Sequence, residues 1–133
     1  MDAAGSLQEC FSQCAECRQA AGSGLIYLAS PYSHESPSVM LERFDTICCV
    51  AATLMLQGFH LFCPIAHTHP IAVKGKLPRG FDFWEQYDRK MLAACQELWV
   101  CTMDGWKESK GVTAEIRIAQ GLGLPIKYIE PVW

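Results

Sequence analysis

From Leu25 onward the chain alternates between short apolar runs and longer stretches with helical periodicity. LIYLAS (Leu25–Ser30) reads as a buried strand and is followed by the turn-rich segment PYSHESPS. Ser36 and Pro37 mark a helix start, with Ser36 as cap and Pro37 at the first helical position. Met40, Phe44, Ile47, Ala51 and Leu54 share one face of that helix, which runs to about Gln57 and is ended by Gly58. FHLFCPI (Phe59–Ile65) predicts a second strand closed by Pro64, and a long functional loop is expected from Ala66 to about Gly80. An amphipathic helix follows over Asp82–Cys95, then an almost purely apolar central strand, LWVCTM (Leu98–Met103). Another helix runs from Ser109 to Gly121 or Gly123, and Pro125 opens a last strand, PIKYIEP. Such alternation predicts right-handed crossovers and a parallel sheet with helices on both faces. The expected fold is a small α/β domain, a doubly wound, Rossmann- or flavodoxin-like parallel sheet of four or five strands. Ligands of these sheets bind outside the carboxyl ends of the strands, here Ser30–Ser33, Pro64–His69 and Thr102–Ser109.

Two carboxylates break the polar–apolar division. Glu115 falls within the stripe Val112, Ile116, Ala119, Leu122, and Asp88 within Trp84, Tyr87, Met91, Leu92, Cys95. At roughly 100° per residue both acids point with the apolar residues and away from Lys110, Arg117, Arg89 and Lys90. A charged group facing a core costs several kcal/mol unless it is paired, hydrogen-bonded or protonated. Two readings account for the pair. Either both are satisfied structural acids, bonded to backbone N–H groups or to Arg43, or they form an active site.

Composition narrows the class. At 133 residues, 50% of them hydrophobic, the chain is one domain with ample material for a core. A net charge of −3 argues against a nucleic-acid polymer as partner, which would call for a clustered basic face. The basic cluster Lys74, Lys76 and Arg79 reads as a solvated loop or as a contact for an anionic ligand. No apolar run approaches the roughly 18 residues of a membrane span, and no secretory signal is evident. A cytoplasmic protein with reduced thiols is therefore expected. Cys48, Cys49, Cys63, Cys95 and Cys101 act as small hydrophobes in apolar segments. Cys10, Cys14 and Cys17 have the C-x3-C-x2-C spacing of an iron–sulfur or zinc site, but the same spacing puts them on one face of a short helix. That segment ends in AAGSG, so residues 1–23 read as an N-terminal appendage or linker and residues 24–133 as the domain.

Several pieces in order resemble the nucleoside 2-deoxyribosyltransferase superfamily, which includes the 2-deoxynucleoside 5′-phosphate N-hydrolases. They are IYLASPYS, then the Gly58 to Pro64 spacing, then D-x-x-x-L-x-x-C from Asp88, then S-x-G-V-x-x-E-x-x-x-A from Ser109. The resemblance is closest to small bacterial and phage-type members with a G-W-x-x-S-x-G segment, and it covers Leu25 to Ile129. It implies that Glu115 is a nucleophile that attacks the anomeric carbon and holds a glycosyl ester. It implies that Asp88 orients the sugar and assists the departing base, and that the Tyr27 hydroxyl positions the nucleophile. Ser109, with Gly111, is implied for a 5′-phosphate, and the free N–H groups of a helix start suit an anion there. Ser109 stands where transferases carry an aspartate, which favours hydrolysis over base exchange. The first loop, Ser30-Pro31-Tyr32-Ser33-His34, departs from the glycine- and arginine-rich loop of the hydrolase branch.

The chemistry is coherent without the family. Cleaving an N-glycosidic bond passes through an oxocarbenium-like state that one carboxylate can capture while a second acid, its pKa raised by an apolar setting, serves the leaving group. Candidate substrate contacts are Ser30, Tyr32, Ser33, His34, His67, Trp106, Ser109 and Gly111. His67 and His69, on one side of an extended H-x-H, read as metal ligands, substrate contacts or structure. His34 reaches a phosphate or base or is structural, Trp106 stacks on a base or covers the crevice, and Arg43 is expected in solvent. The resemblance implies no metal and no cofactor, a nucleoside or nucleotide as small-molecule partner, and a homodimer or higher homo-oligomer. Two other classes remain open on the same fold, a non-catalytic nucleotide sensor and a protein-interaction module.

Overall fold

The computed structural model describes residues 24–132, and the apolar runs read as strands all join one sheet. Its strands are β1 (Leu25–Ala29), β2 (His60–Phe62), β3 (Glu97–Cys101) and β4 (Ile126–Ile129), in the order β2-β1-β3-β4. All three pairings are parallel, with Tyr27 opposite Phe62 on one side and Leu98 on the other. Four helices complete the described residues: α1 (Pro37–Leu56), α2 (Pro64–Gly75), α3 (Phe81–Ala93) and α4 (Lys110–Leu122).

The period-2 alternation of β1 divides the core into two layers. Ile26 and Leu28 face α1, packing with Ile47, Val50 and Ala51. Tyr27 and Ala29 face the other way, into a layer with Leu92 of α3 and Val112, Ile118 and Ala119 of α4. Helices thus cover both faces, and the domain is a small doubly wound α/β fold. From β1 the chain crosses to β2 on one side, and from β3 it crosses to β4 on the other. The reversal opens a crevice between the carboxyl ends of β1 and β3.

Local chemistry fixes the helix that faces this crevice. The Ser109 hydroxyl accepts from the Val112 N–H at 3.2 Å, capping α4, and Gly123 ends it in the left-handed region at φ 72°. Ser36 occupies the capping position of α1, but its hydroxyl bonds the Ser38 hydroxyl at 2.8 Å and not the backbone.

The expected loop after the second strand is the main difference. β2 stops at Phe62, and residues 64–75 form α2, leaving 76–80 as the link to α3. Pro64 does not close a strand; it sits at the helix start, where its missing N–H costs nothing. Pro70 lies inside α2, where a proline forgoes one backbone hydrogen bond, and the helix holds around it. Lys76, at φ 53°, turns the chain out of the helix. Cys10, Cys14 and Cys17 lie outside the described residues. Among the described residues no helix is long and apolar enough to cross a membrane.

Candidate active site

A cavity of about 700 Å³ occupies the crevice between β1 and β3. Its floor is Ser30, at the end of β1, and its walls come from both layers. Glu115 and Asp88 line one side, from α4 and α3. Tyr32 and His69 line another, from the first loop and α2. Ser33, Ser109, Gly111 and Lys110 also line it.

Glu115 is 5% exposed, and its Oε2 accepts a 2.5 Å hydrogen bond from the Tyr27 hydroxyl, itself fully buried in β1. Asp88, half-buried, brings its carboxyl to the same hydroxyl. Removal from water raises both acids, since burial penalises the charged form. Glu115 is pushed up to about 8 by burial first and by the negative charge of Asp88 second, with the Tyr27 hydrogen bond opposing. Asp88 is pushed up to about 6 by burial, again opposed by Tyr27. Burial and then the two carboxylates drive the Tyr27 hydroxyl upward, so it stays a donor. Three titratable groups therefore share one hydrogen-bonded cluster, with Tyr27 and Glu115 buried and Asp88 half-buried. Neither acid is held by Arg43 or, in the case of Glu115, by a backbone N–H.

A second orphan lies beside them. The Ser30 hydroxyl is the one buried side-chain polar atom without a partner among the described residues, and Ser30 lines the cavity. An unsatisfied buried hydroxyl costs on the order of 1–3 kcal/mol, which a ligand's polar group would relieve.

The opposite wall is a different cluster. His69 stacks on Phe44 of α1 with ring centroids 4.2 Å apart and planes 28° apart. Its Nδ1 is hydrogen-bonded to the Tyr32 hydroxyl. The first loop is tied down by Arg43, which is half-buried; its Nη1 donates to the carbonyls of Ser33 at 3.0 Å and Tyr32 at 3.4 Å. The guanidinium lies against Gly105 of the β3–α4 loop, where a Cβ would collide with it.

Of the residues singled out in the sequence, Ser30, Tyr32, Ser33, Asp88, Ser109, Gly111 and Glu115 line the cavity, with Tyr27 bonded beneath. His34, His67 and Trp106 do not. The His34 Nδ1 accepts from the Ser36 N–H at 2.9 Å, so this ring serves the start of α1. His67 and His69 stand two apart on a helix, about 200° around the axis, so their rings diverge. His67 turns toward Phe62 and Tyr87, at 5.8 and 6.4 Å. Trp106 packs on Tyr128, 5.5 Å away, over the far end of the sheet. The lining residues that the sequence did not mark as a site include Phe81, Trp84 and Thr68, while His69, of the H-x-H pair, does line it. Helical periodicity after Pro64 would have separated the two histidines; nothing local marks Phe81. Arg79 and Lys76 also line the cavity.

A family model matches residues 24–130, a span that holds every residue of this cavity. The chain belongs to the family described as Domain of unknown function (DUF1937). The DUF1937 span opens at Gly24, just before β1, and closes one residue after β4, so family and folded domain coincide. No curated protein matches the chain.

Proposed function

We propose that this domain cleaves the N-glycosidic bond of a nucleoside or nucleoside 5′-monophosphate through a covalent glycosyl–Glu115 ester. The observation that carries the reading is the Tyr27–Glu115 hydrogen bond at the base of a cavity that Asp88 also lines. It is the arrangement implied by the resemblance to the nucleoside 2-deoxyribosyltransferase superfamily, with a carboxylate aimed by a hydroxyl and a second acid beside it. The ionised Glu115 attacks the anomeric carbon as the bond to the base breaks, and the base keeps the electron pair. Water then attacks the anomeric carbon of this ester from the side the base has left and gives up a proton, the Glu115 carboxylate departs, and Asp88 orients the sugar. Both half-reactions pass through an oxocarbenium-like state stabilised by the neighbouring carboxylates.

The rest of the cavity fits a nucleotide. Ser109, Gly111 and Lys110 at the start of α4 suit a 5′-phosphate, and the unpartnered Ser30 hydroxyl suits a sugar oxygen. Ser109 in place of an aspartate favours water over a second base as acceptor. The five described cysteines are free thiols, in keeping with a cytoplasmic location, which cell fractionation tests. Next to the mouth, Ile71, Leu77, Phe83 and Tyr87 form an apolar groove with Trp84, a face suited to a second copy of the chain.

The test is chromatographic. Purified protein, its mass measured by light scattering, is incubated with ribo- and deoxyribonucleosides and their 5′-monophosphates beside Glu115→Ala. Base released by wild type and not by the variant is the expected result, with a mass of two chains or more. Nucleotide binding without release would replace the enzyme by a sensor, and neither binding nor release would make the acids structural.

A further inference from the structure

In-line displacement at the anomeric carbon places nucleophile and leaving base on opposite sides of the sugar. Glu115 and Asp88 converge on one hydroxyl, that of Tyr27, so both stand on the nucleophile's side. They also come from one layer, α3 and α4 with the Tyr27 face of the sheet. A base expelled away from Glu115 meets the wall supplied by the other layer. That wall is largely apolar, with Pro37, Met40, Ile65 and Ala72, and is suited to a planar ring. Its paired polar spot is Tyr32 with His69.

We propose that His69 is the acid that protonates the departing base, with Tyr32 holding its ring in place. This rests on the N-glycosidase reading above and assigns the other half of the same site. The imidazole is fixed twice, across its face by Phe44 and at Nδ1 by the Tyr32 hydroxyl. Nε2 is left without a partner among the described residues, while His69 lines the cavity. In the imidazolium form the Nδ1–H donates to the Tyr32 oxygen and the Nε2–H faces the base. As the carbon–nitrogen bond breaks, its electron pair stays on the base, and the Nε2 proton passes to a base nitrogen. The base leaves neutral, and His69 is left as neutral imidazole. The proton that water loses when it opens the Glu115 ester restores the imidazolium, so the cycle closes with one water consumed.

Leaving-group charge separates this role from a structural one. A base that is already cationic departs without gaining a proton. Nicotinamide mononucleotide and N7-methylguanosine 5′-monophosphate carry such bases. They are set against the neutral-base nucleotide that wild type cleaves fastest, with wild type, His69→Gln and Tyr32→Phe. General acid assistance contributes typically 10²–10⁴-fold. His69→Gln is expected to lose about 100-fold or more on the neutral base and less than about threefold on the cationic ones. Tyr32→Phe should repeat the pattern at about tenfold, having lost only the ring's anchor. Equal losses on both kinds of base, or none on either, overturn the assignment while leaving Glu115 as nucleophile. Wild type releasing base from no nucleotide overturns the glycosidase reading, and this inference with it.

Discussion

The two walls of the cavity are built on opposite principles. The acid wall is rooted in the core, with Glu115 and Tyr27 buried in the α3–α4 layer and bonded to each other across 88 residues of chain. The wall across from it is half-exposed, made of a loop and two helices, and its Tyr32 and His69 are held by stacking and by Arg43. Burial does different work in each. On the acid wall it raises pKa values and makes the local field strong. On the other it is partial, and the rings are placed by stacking and hydrogen bonds. One side ties its polar groups to one another, and the other holds His69 at Nδ1 and leaves Nε2 without a partner among the described residues.

That contrast can be broken by substitution. Beyond the nucleophile and the leaving-group acid, the largest effect is expected from Tyr27→Phe, which removes only a hydroxyl. Turnover should fall by about 100-fold, the scale for losing one positioned donor. Thermal melting should also drop, by about 1–3 kcal/mol of stability, because Glu115 is left buried without its donor. A melting curve that does not move would detach Tyr27 from the acids.

Glu115→Gln sharpens the comparison through pH. Its folded pKa, about 8, lies above the ordinary carboxylate value of 4.5, so the folded state holds the proton more tightly than the unfolded state. The stability contributed by that neutral acid is complete below pH 4.5 and is lost as pH rises through about 8. Each unit of difference is worth about 1.4 kcal/mol. Asp88, raised from 3.8 to about 6, adds a smaller loss of the same sign at lower pH. Wild type should therefore melt progressively lower from pH 5 to pH 8.5, and the glutamine variant should lose much less. Parallel curves would mean that the carboxyl is not buried in solution.

The smallest effect belongs to the open wall. Arg43→Ala frees the carbonyls of Tyr32 and Ser33 without touching the acids. KM should rise a few-fold while kcat changes less than twofold, as for loss of uniform binding. A kcat effect as large as that of Tyr27→Phe would erase the distinction between the walls.

The same division decides what could be read from the chain. Glu115 and Asp88 stood out because a charge within an apolar stripe is a local conflict, visible at helical spacing without any tertiary knowledge. Ser109 and Gly123 announced the ends of α4 through cap chemistry, and the strand–helix alternation carried the fold class. The other wall left no such mark. PIAHTHPI carries two prolines and little apolar periodicity, so it reads as loop, and nothing in it separates His67 from His69. Only the packing of α2 against α1 turns His69 onto Phe44. The role of Arg43 is hidden for a related reason. Its carbonyl partners lie in an irregular loop whose path periodicity does not report.

Tyr27 sits in a central strand between two neighbours, with no exposed surface at all. A chemical group rooted there cannot drift by small steps, since most replacements would damage the sheet before they altered a reaction. Residues on α2 and the first loop carry no such debt. Under the proposed N-glycosidase reading, descendants of one ancestral DUF1937 sequence would accumulate new preferences for the departing ring on the α1–α2 side, and the bond being cut would stay the same.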